Sequence, residues 1–597
     1  MTFTISKYSK IMTADFETST EAWGVDEARV WLWDICYDIG VHKNGTTLDS
    51  FMDNILKAPN KSLYAFRNLG YDGTYIISWL LKNGYKHTLK DTDSMPAKSF
   101  KCIISSVGSH YAYQISNENK QKTTLFDSLK YVNMSIENSA KCYNLPIKKG
   151  HIDYDLYRPI DHVPTQEELD YIHNDTEIDM WTIRLNLKEG AVKFTQAGNA
   201  KNEFRKLFTK GEWDMLFPPL DNIDDKFIRK SYVGGFVSYN DNFVNKDIFN
   251  ATSYDINSMY PAQMLHRYMP YGFPVSFEGK YVPSEKYPIY IQRLKCSFAC
   301  KEDGIPMISS KKAFISKENI YIKYSYDMKR ELILSSPDLE LFFDNYDVWD
   351  IEWLGGVMFT AMKGVEITPE QASTMTVDEV IEQDGQGSYF YDYVKKWRYI
   401  KEHEPSGTPA RDYAKRMLNA LYGAMASNPE RKSSVPYLTE DGIVKYNIVD
   451  SDSGKTAYLP AGVFITAWSR YFLIKTIKQN KDRFIYCDTD SMYLKNKKNA
   501  PNINTHKSLF GFFKLEHKIS HIRVVGCKRY IYYGREPKKD NKLHIVCCGA
   551  DEDIKKQMNF TNFKLGMCFD GKKAVKNVKG GKHIYITTYS LGKPPAV

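Results

Sequence analysis

The spacing of apolar and polar residues predicts a mixture of strands and helices in the first part of the chain. Runs with strand character cover residues 8–16, 29–38 and 101–107, and runs with helical character cover residues 48–56 and 75–81. A mixture of this kind predicts a fold of the α+β, or mixed, class.

A longer helix is predicted over residues 165–187, with Thr165 as its N-cap and glutamates in its body. The stretch that follows is marked by Gly190, Gly198, Gly211 and Phe217-Pro218-Pro219. Because glycine and proline favour loops, we expect a loose connection here and place a domain boundary in it.

The length of 597 residues predicts several domains, and the composition is that of a globular protein. No charged-then-apolar leader opens the sequence and no apolar run could span a bilayer, so we expect neither secretion nor membrane insertion. The ten cysteines are scattered without zinc-ribbon or redox spacing, which is typical of reduced cytosolic thiols.

The net charge of +9 is unevenly distributed, with basic runs late in the chain at residues 494–499, 537–542 and 571–583. Tyrosines and tryptophans lie among the basic residues. Cationic side chains that bind phosphate and rings that stack on bases are what a nucleic-acid surface needs. The alternative is a solvated charged face, and charge alone does not decide between the two.

A first pair of carboxylates lies in Asp15-Phe16-Glu17-Thr18, after an apolar run. On a strand, residues two apart face the same side, so Asp15 and Glu17 should project together while Phe16 enters the core. Taken alone, this pattern is also typical of an ordinary surface strand.

Further polar residues could join this pair. The stretch of residues 66–73 offers Asn68 and Asp72 at a turn before an apolar helix, and Tyr171 and Asp175 share one face of the long helix. Hard carboxylate oxygens suit Mg²⁺ or Mn²⁺. Two such ions can activate water and stabilise the leaving oxygen in phosphodiester hydrolysis. Singly, Asp72 could instead be a turn former and Asp175 a solvated helix residue.

A second set begins with Asp255, which is followed by a turn that ends at Pro261. Backbone amides of such a turn can hold phosphate oxygens. On a later predicted helix, one face holds Arg411, Lys415, Asn419 and Tyr422, beside an apolar stripe of Ala414, Leu418, Leu421 and Met425. This face suits a nucleoside triphosphate, although an amphipathic surface helix would show the same pattern.

Two more carboxylates stand in Tyr486-Cys-Asp-Thr-Asp-Ser-Met-Tyr493, at the end of an apolar run. Asp488 and Asp490 are close enough to disfavour joint ionisation, so they indicate either a solvated hairpin turn or a metal site. Together with Asp255 they could hold two ions, one lowering the pKa of a primer hydroxyl and one neutralising the departing pyrophosphate.

In order and spacing, these motifs resemble those of family B DNA polymerases. The first set resembles the proofreading 3′–5′ exonuclease motifs D-x-E, N-x-x-x-D and Y-x-x-x-D. The second set resembles polymerase motifs A, B and C, namely D-x-x-S-[LM]-Y-P, K-x(3)-N-x(2)-Y-G and Y-x-D-T-D-S. A single D-T-D would be weak evidence, whereas the ordered combination is specific.

Other features resemble the protein-primed subgroup found in small tailed Bacillus phages. Tyr232-Val-Gly-Gly235 resembles its template-binding Y-x-G-G motif, and Lys528-Arg-Tyr530 resembles its K-x-Y motif near the primer end. The long gap between motifs A and B resembles its first insertion, which contacts the terminal protein. Residues 435–446 indicate a hairpin around Asp441-Gly442, which resembles the second insertion, linked to processivity and strand displacement.

The resemblance implies an RNase H-like 3′–5′ exonuclease domain over residues 1–195 and a right-hand polymerase domain over residues 196–597. Within the latter it implies a palm with Asp255 and Asp488/Asp490, a first insertion at 267–394, fingers at 395–429, a second insertion at 430–460 and a thumb at 551–597.

The resemblance also implies roles for individual residues. For editing, it implies metal binding by Asp15, Glu17, Asp72 and Asp175, catalytic assistance by Tyr171 and Lys149, and DNA contacts by Thr18, Asn68, Tyr71, Ser128 and Leu129. For synthesis, it implies that Asp255 and Asp490 bridge the metal ions, with Asp488 supporting them, and that Lys415 meets the triphosphate. The residues that it implies for contact with the nucleotide are Ser258, Met259, Tyr260, Asn419 and Tyr422. The residues that it implies for contact with DNA are Tyr232, Gly234, Gly235, Lys528 and Tyr530.

Two positions depart from the usual motifs. Met259 replaces leucine, a volume-conserving change that we expect to be harmless. Ala420 replaces a common serine, which removes a hydroxyl from the predicted helix that carries Lys415 and Asn419. All of the metal ligands that the resemblance implies are present.

The resemblance therefore implies a DNA-templated DNA polymerase with editing, strand displacement and protein-primed replication of a linear phage-type genome. Its substrates would be deoxynucleoside triphosphates, its cofactor Mg²⁺ or Mn²⁺ with two ions per active site, and its partners primer-template DNA, single-stranded DNA and a terminal protein. We expect a monomer without membrane contact in the cytoplasm of an infected bacterial host.

Two other hypotheses remain at this point. One is a nuclease whose polymerase half is inert, against which the three carboxylates and Lys415 argue. The other is a non-enzymatic single-strand binding protein, in which paired acidic residues would only repel phosphate.

Overall fold

The computed structural model describes residues 4–310, 320–325, 328–428, 431–451, 458–535 and 542–592. Residues 537–541 of one basic run, parts of the predicted first and second insertions and the last five residues of the predicted thumb lie outside this set. Within the described residues, no helix is both long and apolar enough to cross a membrane.

The first part of the chain forms an eight-stranded sheet with the strand order β3-β2-β1-β4-β8-β7-β6-β5. Its strands are β1 (Lys10–Thr18), β2 (Val30–Asp38), β3 (Val41–Gly45), β4 (Ser62–Phe66), β5 (Lys86–His87), β6 (Ser99–Ile104), β7 (His110–Ser116) and β8 (Lys122–Asp127). Strands β1, β4 and β8 are parallel, whereas β2 is antiparallel to β1. The three predicted strands are confirmed, with ends shifted by at most three residues.

Five helices accompany this sheet: α1 (Leu48–Leu56), α2 (Leu69–Lys82), α3 (Ser128–Tyr131), α4 (Ile136–Cys142) and α5 (Gln166–Lys188). The long predicted helix is confirmed as α5, and Thr165 caps it together with Glu168 in a capping box. Helix α2 begins earlier than predicted, so the prediction that Asp72 lies in a turn before the helix was wrong. Gly73 looks like a turn residue, but it lies inside α2, at a position where the ring of Tyr113 leaves no room for a side chain.

The helices after α5 are α6 (Gln196–Arg205), α7 (Lys210–Leu216), α8 (Asn222–Ser231), α9 (Met259–His266), α10 (Ser336–Asn345), α11 (Pro369–Ala372), α12 (Val377–Gln383), α13 (Tyr391–His403), α14 (Pro409–Met425), α15 (Leu459–Gln479) and α16 (Glu552–Gln557). The stretch predicted to be a loose connection therefore contains two helices, α6 and α7, and that prediction was wrong. Thr195 and Thr209 cap α6 and α7, and Phe204 and Phe217 are buried, so helix caps and packing outweigh the glycines.

The remaining strands are β9 (Val237–Tyr239), β10 (Ile248–Ile256), β11 (Met269–Phe277), β12 (Ile289–Cys300), β13 (Ile308–Ser309), β14 (Tyr321–Ile322), β15 (Arg330–Ser335), β16 (Tyr346–Met362), β17 (Arg431–Leu438), β18 (Val444–Ser451), β19 (Phe484–Asp488), β20 (Ser491–Lys495), β21 (Phe513–Gly526), β22 (Arg529–Arg535), β23 (Lys542–Cys547), β24 (Cys568–Val578) and β25 (Gly581–Ser590). With the helices, they confirm the predicted mixed class.

A seven-stranded sheet lies at the centre of this second part, in the order β23-β22-β21-β10-β20-β19-β9. A separate four-stranded sheet, β11-β16-β12-β15, is formed by residues between α9 and α11. The predicted hairpin is confirmed as β17 and β18, in which Leu438 pairs with Val444 and Gly442 has a φ of 77° in the connecting turn.

The two parts share buried apolar surface. One hydrophobic core contains Leu63 and Phe126 from the eight-stranded sheet together with Phe204, Leu418 and Phe464 from helices α6, α14 and α15. A rigid connection between the two sheets is the expected result, because burying this surface favours a single packed arrangement.

The hairpin of β24 and β25 also reaches back to the eight-stranded sheet. The backbone N–H of Ala28 donates to Lys579 O at 2.8 Å, and Ser19 Oγ lies 3.2 Å from His583 Nε2. Gly581 faces the ring of Tyr75 so closely that no side chain would fit there. The tip of this hairpin thus packs against α2.

Candidate active sites

The first carboxylate pair lies on β1. Asp15 and Glu17 project from the same face of the strand, while Phe16 is buried between them and packs against Phe51 with ring centroids 4.7 Å apart. The predicted orientation of these three residues is confirmed.

Two helices bring further carboxylates to this face. Asp72 lies in the first turn of α2 and Asp175 in the middle of α5, and their exposed fractions are only 4% and 5%. Burial and repulsion from Asp15 raise the pKa of Asp72 well above its usual value. Burial, followed by repulsion from Asp175, raises the pKa of Asp15 to about 7.

Glu17 belongs to the same electrostatic cluster. Burial raises its pKa well above the usual value, and Asp15, Asp175 and Asp72 add to the shift. The structure therefore brings all four predicted carboxylates together in one buried group, where their joint ionisation is unfavourable without a cation. Their oxygen donors fit a hard divalent ion such as Mg²⁺ or Mn²⁺.

Lys149 and Tyr171 border this carboxylate group. Lys149 Nζ donates to Asp175 Oδ2 and lies 5.1 Å from the centre of the Tyr171 ring. Among the described residues, Asp175 Oδ1 is buried without a hydrogen-bond partner, as expected for an atom that faces a cation. Tyr154, which the sequence did not single out, shares a 2.5 Å hydrogen bond with Tyr171 Oη.

The residues predicted to contact DNA near this site differ in accessibility. Thr18 Oγ1 and Tyr71 Oη are 2.9 Å apart, and Leu129 is half-buried. Asn68 precedes α2 with a φ of 72°, and its backbone N–H donates to Asp127 at 3.1 Å. Ser128 is buried, and its hydroxyl donates to Asp179 at 2.6 Å, so the structure does not present that hydroxyl to a ligand.

The second carboxylate set lies at one end of the seven-stranded sheet. Ser491 on β20 pairs with Asp255 on one side and with Asp488 on the other. The backbone N–H of Ile256 donates to Asp490 O at 2.8 Å, which fixes the turn against β10. The hairpin turn predicted here is present, and it is held by neighbouring strands rather than free in solvent.

The three carboxylates of this set are in different environments. Burial, followed by repulsion from Asp490 and Glu516, raises the pKa of Asp255 to about 7. Burial also raises the pKa of Asp490, and Asp488 adds to this shift. Asp488 forms an ion pair with Lys528 Nζ at 2.8 Å. Oxygen donors with raised pKa values fit a divalent cation, because a cation removes the repulsion between them.

Helix α14 lies beside these carboxylates. Lys415 and Asn419 are exposed on this helix. The positive charge of Lys415 is close enough to offset part of the rise in the pKa values of Asp255 and Asp490. The predicted apolar stripe is confirmed, since Ala414, Leu418, Leu421 and Met425 are all buried. Arg411 is directed elsewhere, because its guanidinium donates to Glu404 O at 2.8 Å.

The turn after β10 completes this side of the site. Tyr260 stacks on Tyr422 with ring centroids 4.1 Å apart. Met259 is buried in the core, and Ser258 has a φ of 48°. Lys401 Nζ donates to Ser258 Oγ at 3.2 Å. Lys401 was missed because it lies on α13, outside every motif, and only packing of that helix brings it here.

The predicted DNA-binding motifs flank the same turn. Phe236 O accepts a hydrogen bond of 2.8 Å from the backbone of Thr489, and a side chain on Gly235 would lie 2.6 Å from Thr489 Oγ1. Gly234 O accepts from Arg470 at 2.9 Å, and Tyr232 is half-buried nearby. The structure thus holds Tyr232–Gly235 against the carboxylate turn.

The other motif lies beside β19, the strand that leads into the turn. The backbone N–H of Lys528 donates to Tyr486 Oη at 3.0 Å, and Tyr530 Oη lies 3.2 Å from Tyr493 Oη. Lys514 and Glu516 on β21 are also electrostatically close to Asp255. Neither was singled out from the sequence, where nothing distinguishes them from other charged residues on a strand.

A family model and individual relatives of this chain point to the same protein family. The model for "DNA polymerase type B, organellar and viral" matches residues 53–164, 157–366 and 375–509. The chain is 34% identical over 603 residues to the DNA polymerase of Bacillus phage phi29, covering 98% of this chain and 99% of that protein. It is 30% identical over 605 residues to the DNA polymerase of Streptococcus phage Cp-1, covering 97% and 98%.

Solved structures give the same result. Phi29 DNA polymerase complexed with primer-template DNA and incoming nucleotide substrates matches with a TM-score of 0.86 and 33% identity, over 98% of this chain and all of that one. The complex of the same enzyme with single-stranded DNA matches with a TM-score of 0.87. On these grounds the chain belongs to the type B DNA polymerases of organelles and viruses, together with the DNA polymerases of these phages.

Proposed function

We propose that this DNA polymerase copies DNA templates by two-metal nucleotidyl transfer, edits with a 3′–5′ exonuclease, displaces the strand ahead and starts on a terminal protein. The observation that supports synthesis most directly is the meeting of Asp255 with Asp490 beside Lys415 and the stacked Tyr260. Primer-template and single-stranded DNA are the proposed nucleic-acid partners.

For the domains, we propose an editing domain over residues 1–195 and a polymerase domain over 196–597. The seven-stranded sheet would be the palm, residues 395–429 the fingers and residues 551–597 the thumb. Residues 267–394 and 430–460 would be the two insertions. The observations that support this division are the two separate sheets, each with its own carboxylate group.

In synthesis, Asp255 and Asp490 would hold two divalent ions, Mg²⁺ or Mn²⁺, with Asp488 supporting Asp490. When bound, such ions lower the pKa of the primer hydroxyl and neutralise charge on the phosphates. Lys415 would meet the triphosphate as a point charge, and Asn419 would bind it from the same exposed face of α14. The Tyr260 ring, fixed by Tyr422, would lie under the sugar and exclude a 2′-hydroxyl.

In editing, Asp15, Glu17, Asp72 and Asp175 would hold the ions that assist hydrolysis of the terminal phosphodiester. Lys149 would keep the carboxylate of Asp175 ionised through their ion pair. Tyr171 would orient the attacking water, with Tyr154 fixing the position of the phenol through their shared hydrogen bond. Thr18, Asn68, Tyr71 and Leu129 would contact the strand end.

For strand displacement, the supporting observation is how the β17–β18 hairpin is anchored at both ends. Ser434 Oγ donates to Ser105 O at 2.9 Å at the edge of the eight-stranded sheet, and Asn577 Nδ2 donates to Val444 O at 3.0 Å from the β24 hairpin. A hairpin that bridges these two elements would enclose a template strand and separate it from its complement.

Protein priming rests on the close relationship to the phi29-type enzymes. The terminal protein would contact the segment that forms the four-stranded sheet, and its hydroxyl would replace the primer terminus. We further propose that the enzyme acts as a monomer in the cytoplasm of the infected bacterium on a linear phage genome.

The test of these proposals is extension of a primed circular template, with and without a cognate terminal protein. Products longer than the circle are expected from the natural chain, and Asp490→Ala should abolish extension while degradation of a single strand without nucleotides continues. Extension that persists in Asp490→Ala would refute the site. Failure to attach a nucleotide to the terminal protein would refute protein priming alone.

A further inference from the structure

A cluster of histidine and carboxylate side chains lies beside the editing carboxylates and has no part in the proposed mechanism. Asp34 on β2, His42 on β3 and His173 on α5 bring potential metal-binding atoms within 4.8 Å of one another. We propose that these three side chains form a binding site for a transition-metal cation of the Zn²⁺ class.

The fold itself assembles this cluster. Cys36 pairs with His42 and Asp34 pairs with Asn44 across β2 and β3, so Asp34 and His42 lie on one face of the sheet. Helix α5 covers that face and contributes His173. Three elements therefore each supply one ligand, and a bound ion would tie the two strands to the helix.

The hydrogen bonds leave one ligand atom unsatisfied. Asp34 is fully buried, and its Oδ1 has no hydrogen-bond partner among the residues that the structure describes. His173 Nε2 lies 3.5 Å from this oxygen and 3.2 Å from Asn44 Nδ2. When Nε2 carries the lone pair, it cannot donate to Asp34 Oδ1. A cation that took this lone pair in place of Asn44 would satisfy the buried oxygen as well.

The distances fit a tetrahedral ion. Donor atoms about 2 Å from such an ion lie about 3.3 Å from one another. Asp34 Oδ2 is 2.8 Å from His42 Nδ1, and Asp34 Oδ1 is 3.5 Å from His173 Nε2, values on either side of this spacing. The imidazole rings stack with centroids 4.3 Å apart, and each directs one nitrogen to a different oxygen of Asp34.

Further residues are placed to orient the ligands. His42 Nε2 lies 3.2 Å from Glu177 Oε2, so binding of a cation at Nδ1 leaves an Nε2–H that donates to this carboxylate. Thr176 Oγ1 donates to Asp34 Oδ2 at 2.6 Å. A carboxylate behind a ligating histidine is a common feature of protein metal sites, where it fixes the ring and the tautomer.

The ligand set determines the class of metal. Two imidazoles and one carboxylate suit Zn²⁺, Co²⁺ or Ni²⁺, whereas Mg²⁺ prefers oxygen ligands alone. The side-chain exposures of 11% for His42 and 25% for His173 leave room for a water molecule as the fourth ligand. Because α5 also carries Tyr171 and Asp175, the ion would hold these residues in place.

The test uses the full chain, stripped with a chelator and then kept in a large excess of Mg²⁺, which occupies sites made of oxygen alone. Titration with Co²⁺ should give one equivalent with the strong visible absorption of a tetrahedral ion, and Zn²⁺ should displace it. His42→Gln and His173→Gln should each abolish this absorption. Glu177→Gln should weaken binding about 10-fold, because it removes only the orienting carboxylate.

A matched control is His162→Gln, because His162 pairs with Glu168 at 2.7 Å near the start of the same helix but lies outside the cluster. It should keep the absorption and the rise in melting temperature that Zn²⁺ causes in the natural chain. Absence of tetrahedral Co²⁺, or absorption that survives in His173→Gln, would overturn the proposal and leave the cluster as ion pairs only.

Discussion

At the scale of single residues, both carboxylate groups share one physical property. Each places acidic side chains in buried positions where they repel one another, and this raises their pKa values. Such an arrangement destabilises the protein without a cation, and a bound cation would remove the repulsion. Predictions at this scale concern the charge of one group and the shape of one ring.

Asp255 should make the metal-free protein less stable as the pH rises. Its pKa is 3.8 in an ordinary setting and about 7 in the fold, so its stabilising contribution is complete below pH 3.8 and is lost as the pH rises through 7. We expect the melting temperature without metal to fall over this range, and to fall less in Asp255→Asn. Mg²⁺ should raise the melting temperature more at pH 8 than at pH 5. Identical pH profiles for the two chains would contradict the raised pKa.

Tyr260→Val should reduce discrimination between deoxyribonucleotides and ribonucleotides. The Tyr260 ring is fixed by stacking on Tyr422, and its loss opens space below the sugar. Steric effects of this size in a pocket are worth about 10- to 100-fold in kcat/KM. The measurement is the ratio of kcat/KM for the two nucleotides. Tyr260→Phe keeps the ring and should select as the natural chain does, and an unchanged ratio in Tyr260→Val would exclude Tyr260 as the barrier.

What could be predicted at this scale depended on whether a residue belongs to a motif. Asp255 and Asp490 stand in short patterns whose spacing already indicates a shared site. Lys401 and Glu516 stand in no pattern, and they reach the site only because α13 and β21 pack beside it. Contacts between residues far apart in the sequence leave no local signal, so reasoning from one sequence cannot find them.

At the scale of elements, helix α5 has the largest effect on the editing site, since it carries both Tyr171 and Asp175. It was predictable because Thr165 is a favourable N-cap and glutamates follow it in the helix. Helices α6 and α7 were not predictable, because their glycines resemble loop residues. The elements that bury them, α14 for α6 and β11 for α7, are far away in the sequence. The start of α2 was misjudged for the same reason.

Thr165→Ala should destabilise α5. The Thr165 hydroxyl accepts from the backbone of Glu168 at 3.3 Å, and the Glu168 side chain accepts from the backbone of Thr165 at 2.9 Å. Loss of such a cap lowers the free energy of unfolding by about 1 kcal/mol. Urea unfolding measures the change, and exonuclease activity should be lost at a lower temperature than primer extension. Thr165→Ser keeps the hydroxyl and should behave as the natural chain; equal loss in both variants would exclude the cap as the cause.

At the scale of the whole molecule, the eight-stranded sheet is held to the rest of the chain at several separated places. One is the common hydrophobic core that includes Leu63 and Leu418. A second is the tip of the β24–β25 hairpin, which contacts Ala28 and Tyr75. The sequence predicted the order of the functional parts but not this second contact, because residues hundreds of positions apart form it.

Gly581→Val should release this hairpin tip while leaving the polymerase carboxylates in place. Any side chain at Gly581 overlaps the ring of Tyr75, and the atoms nearest to that side chain all belong to Tyr75 rather than to the polymerase site. Because the hairpin also contacts Val444 on β18 through Asn577, its release should open the path that we propose encloses the template. Extension of a short primed template should continue at a similar rate, whereas products on a circular template should become shorter.

The matched control for this change is Gly211→Ala, at a glycine where a new side chain meets open space. It should leave product length on the circle unchanged. Raising the salt concentration should shorten the products of Gly581→Val more than those of the natural chain, because an opened path retains DNA through phosphate contacts alone and these weaken with salt. If Gly581→Val and the natural chain gave products of equal length at every salt concentration, the hairpin tip would not help to retain the template. Its contact with the eight-stranded sheet would then serve stability alone.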